Sequence, residues 1–442
     1  MHGRNMWKIT GKAICCVFLL SPLNASASAS YLYNMYSAVS AGDAGAGGAA
    51  LATDATTLYL NPAGMVRIPQ KQLVVSGSIV NTAIKFSGTG TWSAQGVGSY
   101  AQNGVANGGA VRFLPELFYV YPTTKPFNFG FSLTAPFGLG TYYSPLSNVR
   151  YSATTSELKV IDLSPNISYK ITDQWAVGLG LDADYMNLRL RAMAGIPIIS
   201  TSLDSLSENE ANGWGYGWHA GVLYQPTSTT RFGYGYRSYV SADLVGNSNI
   251  TSSISGFFAS SDNTASTDNF NTTFVLPPIN TLSGYHEINT HWAIDGSISY
   301  LQWSQLPENL VANNIAAIPV PSPPISASLP QNYKNTWTLA GGGIYKVNPD
   351  WLLRGGMFWD QSPIKSNTER TVNLPDSNRI GLSIGMHGQP NKQVGIDVGW
   401  THIIFNSVTN TTTAISFQTA NANGNFHNYA DVIAGQVVWD IG

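Results

Sequence analysis

Cysteine and charge are the two things this chain has little of. Its only cysteines, Cys15 and Cys16, lie in the first apolar run, so the sequence after residue 29 has no thiol for a disulfide or a cysteine-bound metal. Asp, Glu, Lys and Arg supply 10% of the residues, against roughly 25% in soluble domains. The composition excludes a disulfide-held secreted domain and disfavours an ordinary soluble one.

Uninterrupted apolar runs are short as well. None reaches the roughly 18–20 residues that a membrane-spanning helix needs. Near the start, Arg4, Lys8 and Lys12 precede the apolar residues 13–20 and then a run of small residues, which is the arrangement of a secretory signal peptide. We expect residues 1–29 to be that signal peptide and the protein to be exported.

What is missing also limits the chemistry. Removing the three early bases leaves 19 basic against 24 acidic residues, a net charge near −5, which argues against nucleic acid as a partner. The seven histidines show no metal-ligand spacing, and no nucleophile motif such as G-x-S-x-G is present. Gly45-x-Gly47-x-x-Ala50 resembles a dinucleotide fingerprint but lacks its preceding strand and later acid. We expect no cofactor, no metal, no catalytic residue and no enzyme activity.

The signal that is present is an alternation of period two. In 216–224, 291–303 and 394–401, apolar residues alternate with polar or small ones, as on strands with one apolar face. A water-soluble sandwich shows the same alternation, but the signal peptide, the scarce charge and the 12% of aromatic residues favour a transmembrane antiparallel β-barrel. Polar stretches predict long extracellular loops at 200–213, 246–272, 305–333 and 406–428.

Residues 30–68 differ from the rest. They are rich in glycine and alanine, too poor in large apolar side chains to form a core, and contain Asn61-Pro62-Ala63 near their end. We expect this segment to be a plug, or hatch, packed inside a barrel formed by residues 69–442, with Asn61, Pro62 and Ala63 as a fixed joint between hatch and wall.

Short motifs along the chain resemble, in family order, those of the long-chain fatty-acid and hydrocarbon transporter family (FadL/TodX, with OmpP1). After the glycine-rich hatch and 61–65 come Pro136–Leu139, Trp175–Gly180, Trp214–Trp218, Tyr236–Ser238, Trp303–Ser304, Lys334–Trp337, Trp351–Gly356, Asp360–Pro363 and Pro375–Arg379. Each match is short, but the ordered series covers nearly the whole mature chain.

The resemblance implies an all-β, transmembrane antiparallel barrel of about 14 strands with an N-terminal hatch in its lumen, located in the outer membrane. It also implies a monomer surrounded by outer-membrane lipid that passively takes up a hydrophobic small molecule. Long-chain fatty acids are the leading cargo, and aromatic or aliphatic hydrocarbons are the alternative. A general porin and an adhesin are the rivals from other classes.

Three basic residues are candidates for a ligand carboxylate: Lys334, Arg189 and Arg191. Lys334 resembles a basic residue that the family places near its ligand, whereas the two arginines lie in the region of a second. Polar residues are even-numbered at 182 and 184 but odd-numbered from 187, which predicts a β-bulge near residues 185–186 that would turn both arginines inward. Without a ligand role, these bases would pair with Asp182, Asp184 or Asp295.

Pro136, Phe137 and Gly138 interrupt a strand-like run. Proline cannot donate to a β-ladder, and the neighbouring glycine permits a bend. We expect an inward kink and a side opening here, since family members are thought to release ligand sideways through a kinked strand.

Overall fold

The computed structural model describes residues 34–94, 97–136, 138–251, 264–317, 323–415 and 419–442. The predicted signal peptide, 1–29, lies outside the described residues together with both cysteines, and so does Phe137.

Strands make up most of the described chain. The helices are short: α1 (Ala38–Gly42) and four 3-10 helices, Ala55–Leu58, Pro62–Arg67, Thr201–Leu203 and Trp303–Gln305. The strands are β1 (Lys71–Ala94), β2 (Gly98–Asn107), β3 (Val111–Pro122), β4 (Phe127–Thr134), β5 (Gly138–Tyr142), β6 (Thr155–Lys170), β7 (Trp175–Ala194), β8 (Ser205–Tyr224), β9 (Thr230–Arg237), β10 (Val240–Thr251), β11 (Thr264–Leu276), β12 (Ile279–Glu287), β13 (Trp292–Leu301), β14 (Asn309–Ile315), β15 (Ile325–Pro330), β16 (Thr336–Asn348), β17 (Trp351–Asp360), β18 (Arg379–Asn391), β19 (Val394–Phe405), β20 (Val408–Ile415) and β21 (Thr419–Ile441). Within the described ranges, no helix has both the length and the apolar character to cross a membrane.

Fourteen of these strands close into an antiparallel barrel. The order around the wall is β1, β3, β4, β6, β7, β8, β9, β12, β13, β16, β17, β18, β19 and β21, and β21 pairs with β1 to close it. The other strands prolong wall strands beyond one end: β2, β5, β10, β11, β14, β15 and β20. The all-β fold and the strand number predicted from the sequence are confirmed.

The alternation of the sequence is the alternation of the two faces of the wall. On β19, Ile396, Val398 and Trp400 are 41–46% exposed on the outer surface, whereas Asp397 between them is buried in the lumen. On β7, the outward Trp175 stacks on Tyr224 at 4.2 Å, and the outward Tyr185 packs on Trp214 at 5.2 Å. Ten residues on a strand tilted by ~40° rise roughly 25 Å, the height of the apolar band of an outer-membrane barrel.

The predicted β-bulge on β7 is wrong. Its pairing with β8 runs from Trp175–Tyr224 to Ala194–Ser205 without a register shift, and its even-numbered residues keep the lumen face. Arg189 and Arg191 are odd-numbered and therefore lie on the outer face of the strand. They lie beyond the Tyr185 level, where the strand has left the hydrocarbon and an outward charge carries no membrane cost.

Parts of the predicted long loops are also strands. Residues 205–213, much of 246–272 and of 305–333, and most of 406–428 continue the wall as paired strands above the membrane. Their polar composition misled the prediction because a hairpin in water needs no apolar face.

Candidate functional site

A cavity opens inside the lumen, with about 790 Å³ of open space that is partly continuous with solvent. Its lining is mostly apolar and comprises Leu158, Leu188, Leu190, Phe274, Val275, Leu276, Trp303, Leu306, Leu310, Leu329, Pro330, Tyr333 and Leu374. The polar residues of its lining are Ser156, Gln331, Thr371 and Asn373. Among the described lining residues none is charged, so this lower cavity suits an apolar molecule.

A second cavity, of about 930 Å³, lies nearer the loop tips. It shares Leu190, Leu329 and Asn373 with the lower cavity, so the two cavities adjoin. Its rim carries Arg191 and Tyr151. Burial and the hydrogen bond to Asp204 raise the pKa of the Tyr151 hydroxyl, which keeps this rim residue protonated and neutral.

The hatch segment, residues 34–67, packs against the lumen face of the wall below these cavities. Asn61 is fully buried and caps the 3-10 helix Pro62–Arg67, its Oδ1 accepting from Ala63 N at 3.1 Å. Its Nδ2 donates to the carbonyl oxygen of Val222 on β8 at 2.9 Å. A Cβ at Gly221 would come within 1.9 Å of the Asn61 amide oxygen. Only glycine leaves space for Asn61 here.

Buried charges join the same segment to the wall. Arg237 donates to the carbonyl oxygen of Tyr59 at 3.0 Å and pairs with Asp162 at 2.6 Å and Asp182 at 3.0 Å. His219 bonds Asp182 through Nδ1 at 2.8 Å, and its Nε2 lies 3.0 Å from the hatch carbonyl of residue 58. We call these contacts, with those of Asn61, the hatch joint.

Among the described residues, the hydrogen-bond ladder of the wall is interrupted between β3 and the strands β4 and β5. The β3–β4 pairing ends at Leu117–Leu133, and within the described residues no ladder joins β3 to β5 above it. A single backbone bond, from Tyr142 N to Gly108 O at 3.0 Å, closes the far end. On the other side, β4 and β5 pair with β6 in registers that differ by one residue, and Pro136 lies in that irregularity. We call this gap the wall break.

The wall break coincides with the predicted kink residues. Pro136 stands in it and Gly138 begins the strand above it, whereas Phe137 lies outside the described residues. Pro115 on β3, opposite the break, also lacks a backbone N–H, and sequence analysis did not single it out. The inward direction of the kink stays a prediction.

Between β17 and β18, residues 361–378 fold into the lumen; we call them the inner segment. Its neck is held by charged groups: Arg379 Nε donates to Asp360 at 2.8 Å, and Ser362 Oγ donates to Asp376 at 3.0 Å. Arg370 Nε donates to the carbonyl oxygen of Asp376 at 2.8 Å. The sequence motifs at 360–363 and 375–379 thus form this neck.

The tip of the inner segment, residues 371–374, reaches the opposite wall. Tyr143 OH donates to Val372 O at 3.0 Å, and Thr141 Oγ1 donates to Asn373 O at 3.3 Å. Asn373 Nδ2 donates to Ser156 Oγ on β6 at 2.7 Å. Asn373 borders both cavities. No sequence signal marked the tip, because its role comes from contacts with residues more than 200 positions away.

The three candidate bases are not brought together. Lys334 is exposed and is absent from the described lining of both cavities. Arg189 is bound by Glu210 at 3.1 Å, whereas Arg191 pairs with Glu208 at 2.8 Å. The partners are therefore glutamates, not the aspartates considered from the sequence. A ligand role stays a prediction for all three bases, and Arg191 is the one placed at a cavity.

A sequence profile for the family described as outer membrane protein transport protein (OMPP1/FadL/TodX) matches residues 19–440. The long-chain fatty acid transport protein of Salmonella typhi is 27% identical over 400 residues, covering 86% of this chain and 88% of its own.

Two solved structures share the fold. A FadL homologue of Pseudomonas aeruginosa has a TM-score of 0.80 at 22% identity and covers 95% of this chain and 100% of its own. The toluene transporter TodX of Pseudomonas putida has a TM-score of 0.67 at 18% identity and covers 94% of this chain and 99% of its own.

Proposed function

Since the chain belongs to the outer membrane transport family OMPP1/FadL/TodX, we propose that it carries hydrophobic small molecules, long-chain fatty acids in the first place, across the outer membrane by passive diffusion. The family and the outer-membrane location inferred from the sequence are confirmed. The observation that carries the proposal is the pair of adjoining, mostly apolar cavities between the loops and the hatch. Like its relatives, it is proposed to be a transporter and not an enzyme.

We propose three segments for the chain on the same grounds. Residues 1–29 are the signal peptide, 30–68 the hatch that plugs the lumen, and 69–442 the barrel. The hatch joint supports the plug, because Asn61 and its neighbours are fixed to the wall by buried hydrogen bonds. A plugged lumen argues against a general porin. The protein works as a monomer in contact with outer-membrane lipid.

The exit is proposed to be lateral. The wall break supports it, because a gap in the ladder beside Pro136 offers a way from the lumen into the hydrocarbon. An apolar molecule leaving there stays out of water, which avoids the cost of rehydrating it, ~0.8 kcal/mol for each CH₂.

A neutral hydrocarbon is the second candidate cargo, and the chemistry of the lower cavity favours it. The lower cavity has no charged residue among its described lining. A carboxylate meets a basic residue only at the upper rim, where the described lining includes Arg191, which is paired with Glu208. Fatty acid and hydrocarbon thus differ in whether they need Arg191.

The test is uptake by cells that lack any other carrier of this family, with labelled oleate, methyl oleate and toluene, and a small sugar as the control. The wild-type protein should raise uptake of the hydrophobic compounds but not of the sugar. Arg191→Gln should reduce oleate uptake by about tenfold or more relative to methyl oleate uptake, if a charge-assisted hydrogen bond is lost. Equal effects on acid and ester would assign the neutral cargo. Sugar uptake equal to oleate uptake would instead indicate a porin.

A further inference from the structure

The tip of the inner segment stands between the ligand passage and the wall break. Thr371, Asn373 and Leu374 line the lower cavity. The wall residues that the tip bonds are Thr141 on β5 and Ser156 on β6, and these two strands resume their pairing just above the break. The tip therefore lies beside the cavity and against the two strands that border the break.

The tip is attached differently from the neck. Three hydrogen bonds between uncharged groups hold it to the opposite wall, together with the burial of Val372 beside Phe86 and Tyr143. The neck is held by ion pairs of Arg379 with Asp360 and Asp376, all buried. Hydrogen bonds between neutral groups are weaker than charge-assisted ones. The segment can therefore part from the far wall while its neck stays closed.

The side-chain amide of Asn373 has unused capacity. Its Nδ2 donates to Ser156 Oγ, and among the described residues no further hydrogen bond of this amide is found. An amide has two N–H donors and an oxygen with two lone pairs. Because Asn373 borders both cavities, the polar end of a ligand that enters the passage can reach it.

We propose that the tip is the gate between cavity and wall break, and that Asn373 is the positioning residue that opens it. The carboxyl, hydroxyl or ester end of a ligand replaces Ser156 as the partner of the amide, the tip leaves β5 and β6, and the apolar chain slides to the break. This proposal rests on the proposed transport function and names the residue that discriminates polar-ended ligands from pure hydrocarbons.

A reversible cross-link tests the gate. Ser156→Cys with Asn373→Cys, in a mature chain that has no cysteine of its own, is bridged by a short bis-methanethiosulfonate reagent and then released by a reductant. The matched control bridges Asn332→Cys and Glu369→Cys, an exposed pair 2.8 Å apart that ties the inner segment on its outer side. Uptake of labelled oleate is measured in the bridged and reduced states of each protein.

Bridging at the tip should lower oleate uptake by about tenfold or more, restored by reductant, since a lid that cannot move stops passage. The bridged control should keep its uptake. Equal uptake in the bridged and reduced states of the tip pair would overturn the gate. If the wild-type protein takes up neither oleate nor toluene, the transport function itself has failed, and the gate falls with it.

The role of Asn373 has its own readout. Asn373→Leu should reduce uptake of oleate by about fivefold relative to hexadecane, because the ligand loses a hydrogen bond that the alkane never makes. Asn373→Gln should restore oleate uptake. An equal loss for oleate and hexadecane would make Asn373 a structural residue and overturn the positioning role.

Discussion

The hatch joint and the tip of the inner segment are both contacts across the lumen, but they are built from different chemistry. At the hatch joint, Arg237, Asp162 and Asp182 are buried ions, and Gly221 lets Asn61 touch the wall directly. At the tip, an amide, three hydroxyls and two carbonyls make the contacts. The three ions all belong to the wall, and they hold the Arg237 guanidinium that donates to the hatch carbonyl of Tyr59. A hydrogen bond from a charged group costs more to break than one between neutral groups. The lower contact is therefore suited to stay closed, and the upper one to open.

Deleting residues 30–60 removes most of the hatch and should have the largest effect. The barrel keeps its closed ladder from β21 to β1, so it should still assemble, with a lumen that now exposes charged side chains to water. We expect single-channel conductance to change from nearly closed to that of an open pore. An intact conductance in the deleted protein would show that this segment does not plug the lumen.

Arg237→Leu breaks the hatch joint at its centre. It leaves Asp162 and Asp182 buried without the guanidinium between them, which should cost ~3–5 kcal/mol of unfolding free energy. Arg189→Leu is the matched control, because Arg189 and its partner Glu210 are partly exposed and the buried Glu157 keeps its pair with Lys159. Removing such a pair should cost ~0–1 kcal/mol. Denaturant unfolding of both variants in lipid vesicles measures the difference. If both variants lost a similar amount of unfolding free energy, the buried charges of the hatch joint would not be a stronger contact than partly exposed ion pairs.

The parts of this molecule that could be predicted from sequence are those that depend on neighbours along the chain. Alternation on β19 predicted its lipid face, since that pattern has period two, and the position of Pro136 predicted where the ladder fails. The outward direction of Arg189 was missed, because polarity reveals a face only while the strand is inside the membrane. The tip was missed because Asn373 meets Ser156 through the folded barrel.

Gly138→Phe tests whether cargo leaves through the wall break. A ring at the first residue of β5 puts bulk beside the gap that cargo is proposed to use, so uptake of oleate should fall by about tenfold while ligand still binds. Gly435→Phe is the control, because Gly435 on β21 has open space around it. It lies two residues after the lipid-facing Ile433 and therefore on the same face of the strand. Whole-cell uptake and binding of oleate are measured on both. Normal uptake by a folded Gly138→Phe protein would favour exit past the hatch.

The smallest expected effect has the opposite sign. Tyr143 OH donates to Val372 O and is one of the three bonds that hold the tip. Tyr143→Phe removes that bond and keeps the ring, so the closed state should lose ~0.5–1.5 kcal/mol. If opening of the tip limits release, uptake of oleate should then rise by about two- to threefold, within what that loss of free energy allows. Thr272→Val removes a bond of the same kind, from Thr272 Oγ1 to Val311 O at 2.8 Å, away from the inner segment, and should leave the rate unchanged. A loss of uptake in Tyr143→Phe would mean that the tip guides cargo only when it is closed. The tip would then not be a contact that opens for cargo, and its contrast with the fixed hatch joint would be wrong.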